Sequence, residues 1–429
     1  MLKLRLEPGG EFDRILEAAA RSFSKVLERG VEEGVLTIAS YPDLDALISS
    51  GIIYSIALSL GIRPLLRVSV KPPSRVTGPT ILAGYSNLNY KASSIDGDLL
   101  AMASSQITST PPPGSVYIEV AGSIGAMLGL ITSQLGSVVV RPEHRLFSLS
   151  SSYAGRFVDK VGRFHGVDKV YVESAVKDRK LSLEGVTALK TYKPHRYGVC
   201  EGISKTVNPY YPTLTGDEEQ CIRLLDSAGL RGIADSPVTR LSGDTIEKLA
   251  ASVIDYVGQR IESVDPSIYV GWMVVSESPT MTPSDPRMAS DALLYASEAG
   301  RGVEPLLSSI IDKEEYTIAE GSLEHYSNIL GKSIEEAKPV RLKTHSWLRV
   351  YRVDIGERDS PTLLWRALSL TRQLDHESVV AFNVEEGLAA SAIQVEEALG
   401  YGAAKRLVET RVARQEGVML WLNLETQSV

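Results

Sequence analysis

Between residues 35 and 135 the chain alternates short apolar runs with helical patterns, and this alternation does more than any other feature to restrict what it can fold into. Val35–Ala39, Leu65–Val70, Pro79–Ala83 and Ser115–Val120 each read as a short buried strand, followed by a turn containing Gly or Ser and then by helical periodicity. Strands separated by helices pair in parallel, because the crossover returns the chain to the same end of the sheet. Phe12 to Gly30 carries Ile15, Leu16, Ala19, Phe23 and Val26 on one face, so an amphipathic helix is expected there. The expected fold is α/β: a parallel-sheet N-terminal domain over 1–205, a helical linker over 206–264, and a smaller α/β C-terminal domain over 265–429 that opens with a strand at Ile268–Val275. Asn208-Pro209-Tyr210-Tyr211-Pro212 breaks regular structure, and Thr215 or Asp217 is positioned to cap the helix that follows.

Asp43 and Asp45 fall just past the first of these strands, in Tyr41-Pro42-Asp43-Leu44-Asp45. In parallel α/β sheets ligands bind at the carboxyl ends of strands. Two aspartates two apart at such a place begin many divalent-metal sites; the same pair also serves as a helix cap or solvated turn. A hydrolytic two-metal centre needs further carboxylates and usually imidazoles. The first histidine is His144, so the expected imidazoles are missing from the first 143 residues. The pattern is that of a metal-dependent phosphoesterase scaffold that has lost much of its metal site.

Net charge is −8, so there is no global basic signature for nucleic acid. Locally the balance differs: residues 151–200 hold ten Lys/Arg against five Asp/Glu. Lys177-Asp178-Arg179-Lys180 follows the strand-like Val170-Tyr171-Val172, and Lys190, Lys193 and Arg196 lie close behind with Tyr192 and Tyr197 interleaved. Such a stretch is either a solvated face or an edge that neutralises phosphates while the tyrosines stack on bases. Gly122, Gly125 and Gly129 lack the rest of a dinucleotide fingerprint and read as a tight strand-to-helix turn. None of the six histidines is paired at i, i+4. Cys200 and Cys221 are the only cysteines; they read as buried thiols in a reducing compartment. Lys3, Arg5 and Glu7 do not suit a signal peptide, and the apolar stretch 115–140 is interrupted by Glu119, Ser123, Ser133 and Gln134. A cytoplasmic protein with no membrane partner is expected.

Taken in order, these segments resemble the Asp-His-His (DHH) phosphoesterases, the superfamily of RecJ exonuclease. The first motif of that superfamily, His-x-Asp-x-Asp, matches Tyr41 to Asp45 with Tyr41 at the histidine. Its second aspartate falls at Gly84, in Ile81-Leu82-Ala83-Gly84-Tyr85-Ser86. Its Asp-His-His triplet falls at Glu119-Val120-Ala121, and its fourth motif at Lys177-Asp178-Arg179, where Asp178 keeps the carboxylate. The stretch Asn208 to Glu219 is similar to a segment of the archaeal RecJ-like proteins that associate with GINS. Tyr295 to Arg301 resembles their Asn-Ala-Cys-Gly-Arg stretch. Their terminal Gly-Gly-Gly-His motif is matched only by Ala398-Leu399-Gly400-Tyr401-Gly402-Ala403.

The resemblance implies a DHH-like domain, a linker and a DHHA1-like domain. It leaves Asp43, Asp45 and Asp178 as a vestigial carboxylate set, with no cofactor or, alternatively, one weakly held Mg or Mn ion. Loss of catalysis on a retained scaffold is similar to the Cdc45-type subunit of the replicative helicase. The implied function is a non-catalytic archaeal replication protein that binds GINS and MCM, with single-stranded DNA passing Lys177, Arg179, Lys180, Lys190, Lys193 and Arg196. The alternative is a divergent metal-dependent single-strand nuclease.

Overall fold

The computed structural model describes residues 2–423 except 89, 136–139, 178–182, 277–281, 343, 345–346, 355, 357–358 and 385–386. Six parallel strands form the first sheet, in the spatial order Leu2–Leu6, Ser115–Val120, Leu99–Ala103, Thr80–Ala83, Val35–Ser40, Arg63–Val68. The apolar runs fix the four predicted strands to within two residues at each end. The Leu2–Leu6 strand, interrupted by Lys3 and Arg5, carries no such signal; it pairs with Ser115–Val120 at the sheet edge, where an alternating pattern is sufficient. From Val35–Ser40 the chain moves one way to Arg63–Val68 and then returns to Thr80–Ala83 on the other side. That reversal opens a crevice at the carboxyl ends of Val35–Ser40 and Thr80–Ala83.

The Phe12–Glu33 helix buries Leu16, Ala19, Phe23, Val26 and Leu27 and stops at Gly34, whose φ of 71° suits a residue without a side chain. The Leu44–Ser59 helix is buried on almost every side, between the sheet and the Glu304–Ile311 helix. At Gly51 a Cβ would meet Ile310 at 2.5 Å, so glycine sets how closely these helices approach. The same physics explains the spaced glycines of the Ile124–Gln134 helix. A Cβ at Gly125 would strike Ser151, and one at Gly129 would strike Tyr171, both at 2.3 Å. Close helix packing, as well as the turn, requires them.

The second sheet is mixed and lies towards the C-terminus, in the order Val340–Arg341, Arg349–Arg352, Ser378–Val384, Gly387–Ser391, Met419–Leu422, Ala413–Glu416. One continuous cluster of buried side chains runs from Leu4 to Leu422 and includes both sheets. A smaller cluster draws its buried residues from 188 to 273. Two sequence expectations are corrected here. The strand at Val270–Ser276 does not open the C-terminal sheet; it forms an antiparallel ribbon with Leu183–Leu189. Val170, Tyr171 and Val172 are helical, within Gly166–Lys177, because Val167, Tyr171, Val172 and Ala175 recur at helical spacing on one buried face.

The cysteines also differ from expectation. Cys200 and Cys221 are bonded to each other, joining the Val199–Ser204 helix to Glu218–Ser227 inside the smaller core. A closed segment with a sequence separation of 21 is expected to stabilise by about 3 kcal/mol through lost chain entropy in the unfolded state. Replacing both cysteines by alanine should therefore lower the free energy of unfolding by about that amount in guanidinium titrations without reductant. Identical curves for the double variant and the parent would show the bond to be absent.

Candidate functional site

At the carboxyl end of the Val35–Ser40 strand, where a depleted metal site is expected, the two aspartates are held by the protein's own donors. Asp43 is the N-cap of the Leu44–Ser59 helix; its carboxylate accepts from the Ala46 amide at 2.8 Å. Asp45 points the other way, onto the amino end of the Ile124–Gln134 helix. It accepts from the Ile124 amide at 3.2 and 3.1 Å and from Gly125 at 3.4 Å. The Ser151 hydroxyl donates to the same carboxylate, and Ser49 approaches it at 3.4 Å. A helix amino end carries unpaired N–H groups and partial positive charge, and here they stand where metal charge would otherwise be needed.

Asp168, which sequence reasoning missed, completes the arrangement. It is fully buried on the Gly166–Lys177 helix and accepts from the Ser123 amide at 2.8 Å and the Ser123 hydroxyl at 2.5 Å. Ser123 in turn caps the Ile124–Gln134 helix. Two carboxylates thus converge on one helix amino end. The one signal in the sequence is an aspartate in the first turn of a helix whose Val-Tyr-Val run resembles a strand.

The other motif positions have structural tasks. Gly84 has a φ of 86°, and a Cβ there would meet Ala46 at 2.7 Å, Tyr41 at 2.8 Å and the Asp43 carboxylate at 3.0 Å. No carboxylate side chain fits at this place without displacing Asp43. Glu119 is bound to Lys3 at 2.7 Å and to the Ile107 amide at 2.7 Å. Val120 is buried, and Ala121 pairs through its backbone with Leu6 and Val167. Asp178, Arg179 and Lys180 lie outside the described residues. Among the described residues no group of three or more His, Cys, Asp or Glu is placed to hold a metal ion. The donors around Asp45 and the closed space at Gly84 do not fit a two-metal centre.

Tyr41, at the position of the missing histidine, bridges to the C-terminal part of the chain. Its hydroxyl donates to Glu396 at 2.6 Å, and Glu396 also accepts from the Gly402 amide at 2.6 Å and the Ala404 amide at 2.8 Å. The Tyr401 ring packs on Tyr41 with centroids 4.9 Å apart. Its hydroxyl donates to the Gly84 carbonyl and accepts from the Ser86 amide at 3.0 Å. The segment from Ala398 to Ala403 therefore lies against Tyr41 and Gly84 at the carboxyl end of the first sheet.

The basic residues are dispersed. Lys177 and Arg196 are exposed. Lys190 is half-buried and donates to the Ser267 carbonyl at 2.8 Å; burial, then Arg287, lowers its pKa to about 8. Lys193 is buried and paired with Glu320 at 2.8 Å and Glu324 at 3.1 Å. Tyr192 and Tyr197 stack on one another, 5.8 Å apart, and flank that ammonium group. Lys193 serves an internal ion-pair network, so the described residues do not form a single cationic face.

Burial, and then the charge of Asp45, raises the pKa of Asp43 well above the usual carboxylate range. Burial raises Asp45 to about 7 against the opposing pull of Ser151 and Ile124. With raised folded-state values, the native protein binds these protons more tightly than the unfolded chain. Their contribution to stability is fully present below about pH 4 and is lost as pH rises through the folded values. Buried His144 is lowered to about 3 and acts in the opposite direction, but only below its unfolded value of about 6.5. Between about pH 6.5 and 7.5, below the range in which the lowered Lys190 loses its proton and acts in the opposite direction, Tm should therefore fall, and Asp43→Asn should flatten that slope. A rising Tm, or a slope unchanged in the variant, would contradict the assignment. Asp45→Ala, which leaves the Ile124 and Gly125 amides without their buried acceptor, should cost about 2–4 kcal/mol in denaturant titrations.

No protein-family model matches the chain, and no curated protein matches it by sequence. Solved structures are similar to it to different degrees. CDC45 from Entamoeba histolytica superposes with a TM-score of 0.60 over 98% of this chain and 96% of that one, at 9% sequence identity. RecJ in complex with Mn²⁺ from Thermus thermophilus gives a TM-score of 0.39 at 13% identity, covering 95% of this chain and 52% of that one. A manganese-bound exonuclease RecJ gives 0.38 at 12% identity, covering 95% and 90%. Across nearly its whole length the chain has the fold of CDC45, in keeping with the resemblance carried by its motifs.

Proposed function

We propose that this protein is a non-catalytic subunit of an archaeal replicative helicase assembly, a DHH-type scaffold that binds GINS and MCM. The observation that carries the reading is the state of Asp45. A carboxylate that accepts two backbone amides and a serine hydroxyl, in a buried setting, has little left to offer a metal ion. With Gly84 in place of an aspartate and Tyr41 in place of a histidine, no group of three or more metal-type donors stands among the described residues to activate a water. The CDC45 fold over the full chain supports the same direction, by analogy of fold.

The bridge from Tyr41 and Gly84 to Glu396 and Tyr401 supports a scaffold role in a second way. A nuclease of this architecture must admit a strand between its two parts, whereas here the two parts are bonded across the crevice mouth. Single-stranded DNA, if it is bound, is held at the exposed surface around Arg196 rather than threaded to Asp45.

Mixing the purified protein with recombinant GINS and MCM from the same source and resolving the mixture by size-exclusion chromatography tests the reading. Co-elution with GINS is expected, and it should survive Asp45→Asn, because that change keeps the side chain's shape. Separate elution from both partners, together with manganese-dependent cleavage of single strands that Asp45→Asn abolishes, would overturn it in favour of the nuclease.

A further inference from the structure

A groove of about 820 Å³ runs along the outer face of the Gly166–Lys177 helix, against the ribbon formed by Leu183–Leu189 and Val270–Ser276. It is separate from the Asp45 site; the same helix turns Asp168 inward to that site and Lys169, Glu173, Val176 and Lys177 outward. The floor is apolar. Phe164 and Trp272 meet edge-on, 5.9 Å apart at 89°, and Val172 and Val176 extend the strip, with Val176 44% exposed. Cations stand at both ends: Arg163 and Lys169 at one, with Lys169 also 3.9 Å from the exposed Glu173 carboxylate, and Lys177 at the other. His165, beside them, is bound to Asp159 at 3.2 Å.

We propose that this groove docks a short acidic peptide segment of a partner protein, anchored by one or two apolar side chains over Val172 and Val176. Charge complementarity and the aliphatic floor both argue for this occupant. A nucleic-acid strand fits less well for two reasons. Base stacking needs an open aromatic face, and the Trp272 indole lies on the backbone at Gly185, where a Cβ would come within 2.5 Å of the ring. Glu173 also stands one helical turn from both Lys169 and Lys177, in the middle of the cationic row. A phosphate backbone carries a charge at every nucleotide and must pass it. A peptide can place an apolar residue there and keep its carboxylates for the two ends. This is recognition of an apolar anchor in a groove with a charged rim, and it holds whether or not the protein joins a helicase.

The test is a selection of random twelve-residue peptides displayed on phage against the immobilised full-length protein. Counter-selection uses the variant Lys169→Glu/Val176→Asp, whose two sites are exposed and whose folding is checked by its Tm. Enriched sequences are expected to carry Asp or Glu on both sides of one or two Leu, Ile or Phe residues. A synthetic enriched peptide should bind at least about tenfold more weakly to the variant, and more weakly as salt is raised. No enriched family, enriched peptides without acidic residues, or binding equal in parent and variant would overturn the proposal. So would a twelve-nucleotide oligothymidine that displaces the peptide and itself loses affinity in the variant, because the groove would then be a nucleic-acid path.

Discussion

The amino end of the Ile124–Gln134 helix is the physical centre of this molecule. Onto it converge Asp45 from the Leu44–Ser59 helix, Asp168 from the Gly166–Lys177 helix and Ser151 from the Pro142–Ala154 helix. Two buried carboxylates need positive charge or hydrogen-bond donors close by. In a two-metal phosphoesterase cations would meet that need. Here the helix amides and the serine hydroxyls meet it, and four helices are joined at that point. The spaced glycines follow from this: Gly125 and Gly129 let the neighbouring helices come near enough for the donors to reach.

The same end of the sheet is joined to the C-terminal part of the chain. Tyr41 packs its ring on Tyr401 and binds Glu396. The Val70 amide adds another tie at the same end of the sheet, donating to the Gln415 side chain at 2.7 Å. The continuous buried cluster that includes both sheets is consistent with a body that keeps one shape.

Much of the fold was legible because it depends on local pattern. The strands at 35–40, 80–83 and 115–120 are short apolar runs, and the Asp43 cap lies where a strand-to-helix turn must have one. What the sequence concealed is non-local. Asp168 meets Ser123 across 45 residues, and Tyr41 meets Glu396 across 355; no spacing rule links such pairs. The Cys200–Cys221 bond was missed because two cysteines in isolation carry no pairing information. The basic stretch misled because a lysine in sequence does not reveal its partner, and Lys193 faces two glutamates more than 120 residues away.

The account rests on the claim that protein donors have replaced metal at Asp45. The most direct measurement is a manganese titration of the metal-free protein followed by electron paramagnetic resonance of the unbound ion. The account predicts no site tighter than about 1 mM, and the same titration curve for the parent and for Asp45→Asn. One or two sites filled stoichiometrically at micromolar protein, and lost in Asp45→Asn, would show that the carboxylates still serve a metal and would contradict it.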